Sequence, residues 1–219
     1  LHDALPISFE ALSVLSAILG ILILGTTLLR TNLSFYRMHT LAIAAVTAWI
    51  AHITKEDHLY VVALGVFLIK VIFIPNFLNW VMKKVDVGSD KQAFIAAPLS
   101  MHLGALMLGL SFLLSKQIPG LVGGHDSHLG STAAMSILFT GVLLMLTRRA
   151  ALSQIVGFLV IENGIYLFAV TQTHGMPMLV EMGLLLEVLV GVMISGLLLF
   201  NIKKSFEHID VSQLTELKD

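Results

Sequence analysis

Residues 148–195 read RRAALSQIVGFLVIENGIYLFAVTQTHGMPMLVEMGLLLEVLVGVMIS and contain two apolar segments, each with an acid near its middle. The first segment carries Glu162 and the second carries Glu187. A carboxylate in the core of a bilayer costs about 2.5–3.5 kcal/mol on insertion scales, so membrane helices carry few of them. Acids that do occur there usually belong to an ion pathway. This stretch therefore predicts membrane helices that hold protonatable groups.

The composition of the whole chain agrees with membrane helices. Of its 219 residues, 57% are apolar and 12% are charged, whereas soluble domains carry about 25% charged residues. The net charge of −1 indicates no nucleic-acid partner. The lack of cysteine excludes disulfides, cysteine zinc sites, iron–sulfur ligation and thiol catalysis within this chain. No phosphate-binding glycine loop, nucleophile elbow or HExxH motif occurs, so no catalytic, cofactor or metal site is predicted.

Apolar runs bounded by charged residues, proline or glycine predict an all-α fold, a polytopic membrane helix bundle. The seven predicted spans cover about 9–29, 34–54, 59–82, 93–115, 131–147, 150–171 and 178–201. The predicted divisions are a four-helix part over 9–115, an outer loop over 116–130, a three-helix part over 131–201 and a tail over 202–219. Because residue 1 is leucine, we expect the natural start to be missing or altered and set residues 1–8 aside; they lack the basic start of a signal peptide.

The basic residues predict the orientation of the spans. In the seven-span arrangement, ten of the 13 lie on one side, Lys55 and Lys116 lie on the other, and Lys70 lies inside a span. The cytoplasmic side of membrane proteins carries the excess of lysine and arginine. We therefore expect a multi-pass protein of the inner (cytoplasmic) membrane, with the N-terminus outside and the C-terminus in the cytoplasm. Arg148 and Arg149 are interpreted as topology determinants.

The surroundings of the two central acids suggest that both face protein. Glu187 shares a helical stripe with three small residues at intervals of four: Gly183, Gly191 and Ser195. Small residues let another helix pack closely, so we expect Glu187 to face protein rather than lipid. Glu162 is followed by Asn163 and Gly164, a cluster typical of a hydrogen-bonded interior face. Both acids are predicted proton-relay residues; the alternative is a structural carboxyl that bonds to a neighbouring helix.

Three further ionisable residues are candidates for the relay. Lys70 lies about halfway through the third span, where Pro75 should loosen the helix. It would store or modulate a proton, or else form a fixed ion pair with a carboxylate of another span. His102, in the fourth span, could extend the relay or be a satisfied core group. Glu181 lies near the outer end of the seventh span and could instead be interfacial.

Other polar and aromatic residues lie near the predicted span ends. His39 and His52 lie near the two ends of the second span, and we interpret both as interfacial. Trp49 and Trp80 fit the aromatic belt of a membrane protein.

The chain resembles the hydrogenase-4 component E family, which are membrane subunits of formate hydrogenlyase-type group 4 [NiFe]-hydrogenases. The resembling residues are the turn Arg148–Arg149, then Gln154, Gly157, Glu162, Asn163 and Gly164; the run FLIKV over 67–71 with Pro75; and the tail IDVSQLTELK over 209–218. The resemblance covers nearly all of the chain after residue 9.

The last three spans also resemble subunit K of bacterial complex I. In that protein a basic turn precedes a span with a central glutamate, and the next span carries a second one. Glu162 and Glu187 match these positions, which the complex I family assigns to the membrane proton path. Some component E relatives carry aspartate at the second acid, which can also protonate. Subunit K lacks the first four spans and gives no support to Lys70 or His102.

The resemblance implies a subunit that is not catalytic by itself, in the membrane arm of a group 4 hydrogenase or complex I-like oxidoreductase, and that contributes to proton or cation translocation. It implies antiporter-like and quinone-site-type membrane partners and a peripheral hydrogenase arm. The NiFe and iron–sulfur centres would lie in those partners. Two alternatives stay open: a subunit of a multisubunit cation/proton antiporter, and a structural scaffold with inert acids.

Overall fold

A computed structural model describes residues 5–86, 88–90, 93–117 and 128–173 and, in the last helix, 185, 187–189, 191–196 and 198–200. Over these residues the regular secondary structure is helical, and an isolated β-bridge joins Leu28 to Ser89. The elements are α1 (Leu5–Leu24), α2 (Leu29–Thr54), α3 (Asp57–Val66), a π-helical segment (Phe67–Phe73), α4 (Ile74–Val85), α5 (Ala97–Ser115), α6 (Leu129–Thr147), α7 (Ala151–Thr173) and the C-terminal helix (Glu187–Phe200).

Four helical stretches are long and apolar enough to cross a membrane: Asp57–Val85, Ala97–Ser115, Leu129–Thr147 and Ala151–Thr171. They correspond to the third to sixth predicted spans. The bounds of the first predicted span are wrong, because α1 begins at Leu5 and ends at Leu24. The chain then reverses, and α2 begins at Leu29. Hydropathy alone did not show this reversal, since the turn Gly-Thr-Thr-Leu over 25–28 contains no charged residue.

The stretch Asp57–Val85 is one continuous helix with a widened turn in its middle. Pro75 has no N–H to donate to the carbonyl four residues before it. The backbone N–H of Ile74 donates to the carbonyl of Ile69, five residues back. This confirms the prediction that Pro75 loosens the helix around Lys70.

The helices pack in neighbouring pairs around a common core. The most extensive contact joins α6 to α7, and α1 packs along α2 and also contacts α6. The backbones of α6 and α7 touch at Gly141 and Gly164, where an added Cβ would lie 2.6 Å from Ile161 N and 2.7 Å from Leu138 N, respectively. Such close approach explains why glycines occur at these positions. In contrast, α5 lies at the periphery, and only 17% of the residues in its apolar stretch are buried.

One end of the bundle is held together by Arg148 and Asp90. Arg148 is fully buried, and its Nη2 donates to the carbonyls of Leu24 at 2.6 Å and Thr26 at 3.2 Å. Asp90 Oδ2 accepts hydrogen bonds from the backbone N–H groups of Arg149 and Ala150 at 3.1 and 3.0 Å. The turn after α1, the loop before α5 and the turn before α7 therefore meet at one end.

The interpretation of Arg148 as only a topology determinant is wrong, because its guanidinium joins two turns inside the protein. Burial lowers the pKa of this guanidinium, and the nearby Asp90 carboxylate opposes that change. Arg149 is exposed and packs over the ring of Phe94 at 3.9 Å, as a residue at a helix-connecting turn can.

We expect Arg148→Ala to lower the free energy of unfolding by about 3 kcal/mol, because it leaves buried carbonyls unpaired and opens a cavity. Arg149→Ala removes the same formal charge from an exposed site and should cost less than about 1 kcal/mol. Thermal unfolding of the purified chains in detergent measures both. Equal effects of the two substitutions would show that Arg148 contributes only charge.

Candidate functional site

Lys70 is buried in the middle of the bundle, in the π-helical segment. Its side chain is 0% exposed, and its Nζ donates to Glu162 Oε2 and, at 3.0 Å, to Asn163 Oδ1. Nζ also lies 5.5 Å from the centre of the Tyr166 ring, within the range of a cation–π contact. All of these partners come from α7, so the ammonium joins the π-helical segment to that helix.

The middle of α7 supplies the groups that contact Lys70. Residues four apart lie on one helix face, which places Glu162 and Tyr166 on the same side. Asn163 adjoins them, and Gly164 lets α7 lie directly against the backbone of α6. The Glu162 side chain is 11% exposed, so the carboxylate is almost entirely shielded by the chain itself.

Helix α2 supports the pair from the other side. Lysine can only donate hydrogen bonds, so the Asn163 amide turns its oxygen to Lys70 and its nitrogen away. That nitrogen donates to Thr40 Oγ1 at 2.8 Å. Further along α2, Thr47 Oγ1 lies 3.1 Å from the Tyr166 hydroxyl. The polar network thus extends from the π-helical segment through α7 to α2.

A buried lysine–glutamate pair can exist in several protonation states. Both groups can be charged, or both can be neutral after one proton moves from the ammonium to the carboxylate. The site can also hold one additional proton, as a carboxylic acid beside an ammonium. Because the two groups interact strongly, protonation of one changes the affinity of the other for its proton. The arrangement can therefore take up and release protons as a coupled unit.

The structure brings together two of the five predicted relay residues, Lys70 and Glu162. The ion pair with a carboxylate of another span, the alternative considered for Lys70, is the arrangement observed. His102 is exposed on α5, where its Nδ1 lies 2.7 Å from the carbonyl of Pro98. Glu181 lies outside the described residues. Among the residues that are described, no group of three or more histidine, aspartate or glutamate side chains could hold a metal ion.

Glu187 was predicted to face protein, and it lies on a face of the C-terminal helix that the described helices of this chain leave open. Glu187 and Gly191 are exposed on the C-terminal helix, and Ser195 is half-buried. The Ser195 hydroxyl donates to the carbonyl of Gly191 at 2.8 Å, so it bonds within its own helix. A stripe of small residues indicates which face of a helix can be approached closely, but not which helix approaches it.

Sequence reasoning missed His39, which is 0% exposed rather than interfacial. Its Nδ1 lies 2.7 Å from the carbonyl of Ser16 on α1. One signal could have found it: buried polar residues recur at helical spacing along a single face of α2, at Asn32, Tyr36, His39, Thr40 and Thr47. His52 is exposed near the end of α2, as predicted.

The fold and the buried pair define an all-helical membrane protein that keeps a lysine and an acid in its apolar interior. The chain is 28% identical over 212 residues to an uncharacterized protein of Mycobacterium tuberculosis, a match that spans 89% of this chain and 94% of the relative. It is 24% identical over 190 residues to hydrogenase-4 component E of Escherichia coli and of Shigella flexneri, across 86% of this chain and 87% of each relative. Over most of its length, the chain is therefore similar to the hydrogenase-4 component E family. No family model and no solved structure matches it.

Proposed function

We propose that this chain is a membrane-arm subunit of a group 4 [NiFe]-hydrogenase or complex I-like oxidoreductase and that it contributes to proton translocation. The relatives named hydrogenase-4 component E support this assembly, because they align with 86% of the chain. The chain is not catalytic by itself in this proposal. Peripheral subunits would carry out the redox reaction and hold the NiFe and iron–sulfur centres, and antiporter-like and quinone-site-type subunits would be this chain's partners in the membrane.

The proposed topology has seven spans in the inner membrane, with the N-terminus outside. The bundle end that Arg148 and Asp90 hold together then faces the cytoplasm. In support, α2 begins beside Arg30 and α4 ends with Lys83 and Lys84, so basic residues gather at the helix ends on this side.

The buried Lys70–Glu162 pair is the observation that carries the proposal. A buried ion pair is seldom required for stability, since apolar residues of similar volume often replace one at no cost or with a gain of about 1–4 kcal/mol. Its presence in the apolar interior of a membrane protein therefore favours a function in protonation.

The pair can transfer one proton per cycle. A proton that reaches the Glu162 carboxylate converts it to a carboxylic acid, and the Lys70 ammonium loses its counter-charge. The ammonium then releases its own proton towards the next acceptor. Transfer of the carboxylic proton to the amine restores the charged pair. Moving one charge across 100 mV costs about 2.3 kcal/mol, which is comparable to the cost of one unpaired charge in the membrane.

In this proposal Glu187 meets a neighbouring membrane subunit. Its carboxylate lies on the exposed face of this chain, where lipid would leave it without a partner. A partner helix that covers Gly191 and Glu187 would shelter the acid and continue the proton path. The relay roles of His102 and Glu181 stay predictions; α5, which carries His102, packs on α1 and α6 rather than on α7.

Glu162→Gln tests the proposal, because glutamine keeps the shape of the side chain but cannot ionise. In inverted membrane vesicles that carry the assembled complex, we expect proton translocation to fall about 100-fold, the lower end of what a positioned acid–base group contributes. Hydrogen evolution from an artificial electron donor should persist. A hydrogen electrode and a pH-sensitive dye measure the two rates.

Glu56→Gln is the matched control, since this carboxylate lies in the turn between α2 and α3 with its side chain 55% exposed. Its vesicles should translocate protons at the wild-type rate. If the Glu162→Gln complex also does so, Glu162 is not part of a proton path.

A further inference from the structure

His39 lies fully buried where α1 and α2 meet. Its Nδ1 lies 2.7 Å from the backbone carbonyl of Ser16, and its Nε2 has no hydrogen-bond partner in the described part of the chain. Buried polar atoms are nearly always paired, so the unpaired Nε2 calls for an explanation.

The contact with Ser16 determines which tautomer the imidazole adopts. A backbone carbonyl can only accept a hydrogen bond, so Nδ1 must carry the proton that it donates. In neutral His39 the lone pair is therefore on Nε2. Nε2 of the buried ring can therefore accept a proton, and the hydrogen bond from Nδ1 to Ser16 holds the ring in place.

The surroundings of His39 contain other unpaired polar groups. A side chain added at Gly20 would lie 3.7 Å from the His39 ring and 4.0 Å from Thr140 Cγ2, so α6 approaches the same position. The hydroxyls of Thr140 and of Ser136, one turn earlier on α6, are buried and lack partners within the described residues. A buried water molecule typically binds about three polar groups, and this junction offers such a set.

Lys70 is linked to this part of α2 through Asn163, which accepts a hydrogen bond from Lys70 Nζ at 3.0 Å and donates one at 2.8 Å to Thr40, the residue after His39. On α7, Glu162 is paired with that lysine, and on α2 the buried Tyr36 lies one turn before His39. Helix α6 carries no ionisable side chain, and α1 carries only Glu10. Lys70 is therefore the proton donor that this base can use.

We propose that His39 is a proton-transfer residue, and that it forms the branch through which the proton path leaves Lys70, towards the junction of α1, α2 and α6. This inference rests on the proposed function. The Lys70 ammonium gives one proton, through hydroxyls and water, to Nε2 of neutral His39, which leaves a neutral amine and an imidazolium. Once the Lys70 amine is neutral, its positive charge no longer repels the imidazolium of His39. Release of the Nε2 proton towards Thr140 and Ser136 restores the neutral ring.

His39→Gln tests this branch in the assembled complex. The glutamine amide can still donate to the Ser16 carbonyl, but it cannot take up a proton. We expect proton translocation in inverted vesicles to fall about 100-fold, with hydrogen evolution from an artificial donor retained. If His39→Gln translocates protons normally while Glu162→Gln does not, the branch is wrong and the proposed function stands. If both translocate normally, the proposed function itself fails.

A second measurement decides the question if His39→Gln does not assemble. The full chain, labelled with ¹⁵N-histidine and placed in lipid nanodiscs, is compared with its Lys70→Met variant, and the His39 signals are assigned as those missing from the isolated His39→Gln chain. We expect the Nδ1–H tautomer in both chains, and a protonation of Nε2 whose pH dependence differs between them because Lys70 is its proton donor. An Nε2–H tautomer, or a protonation of His39 with the same pH dependence in both chains, would overturn the proposal.

Discussion

The Lys70→Met chain should be strongly destabilised, and so should the Glu162→Met chain, whereas the double variant should recover most of the loss. Each single substitution leaves one charge of the pair buried without its partner, which costs about 3–5 kcal/mol. The double variant replaces the pair with two apolar side chains of similar volume, which often costs nothing. Thermal unfolding of the purified full-length chains, with the yield of folded protein in membranes, measures the cycle.

Lys116→Met is the control for this cycle, because Lys116 is exposed just after α5 and its Nζ lies 4.3 Å from the centre of the Phe112 ring. It should change the free energy of unfolding by less than about 1 kcal/mol. Additive losses in the double variant would mean that Lys70 and Glu162 do not interact, and would remove the basis of the proposed site.

Gly164→Ala should also be severely destabilising, although it adds a single methyl group. The new Cβ would lie 2.7 Å from Leu138 N and 3.0 Å from Ala134 O, both backbone atoms of α6 that cannot move aside separately. Such overpacking costs about 1–3 kcal/mol and would push α7 away from α6. Because Asn163 and Glu162 precede Gly164 directly, we also expect weaker proton translocation.

Gly109→Ala is the matched substitution, since no described atom of another helix lies within 4 Å of an added Cβ at this position on α5. Alanine favours helix over glycine by about 1 kcal/mol, so this variant should be neutral or slightly more stable. The same unfolding experiment compares the two. A Gly164→Ala chain as stable as the Gly109→Ala chain would show that α6 and α7 do not touch at this glycine.

The helices and the polar residues inside them could be predicted because apolar runs, and the charges that interrupt them, can be read from neighbouring residues in the sequence. The sequence identified Lys70 and Glu162 as unusual residues for a membrane interior, and it identified the effect of Pro75. It did not show that these two residues pair with each other, because that depends on how the π-helical segment and α7 pack. Nor did it show that the face with Glu187 lies on the outside of this chain.

His39 was misread because a helix boundary was misplaced. The predicted second span began at 34, which put His39 near its end, whereas α2 begins at Leu29. The histidine is therefore about 15 Å along the helix, at 1.5 Å per residue. Arg148 was misread for a different reason: a charge count assigns a residue to one side of the membrane, but it does not show whether the side chain folds back into the protein.

In the proposed mechanism, the Lys70–Glu162 pair is kept in the interior for proton transfer rather than for stability. The most direct test is the number of protons translocated per hydrogen molecule evolved by the assembled complex that carries Lys70→Met and Glu162→Met together. We predict normal assembly and hydrogen evolution, with proton translocation through this chain abolished. A double variant that assembles and translocates protons at the wild-type ratio would contradict the account.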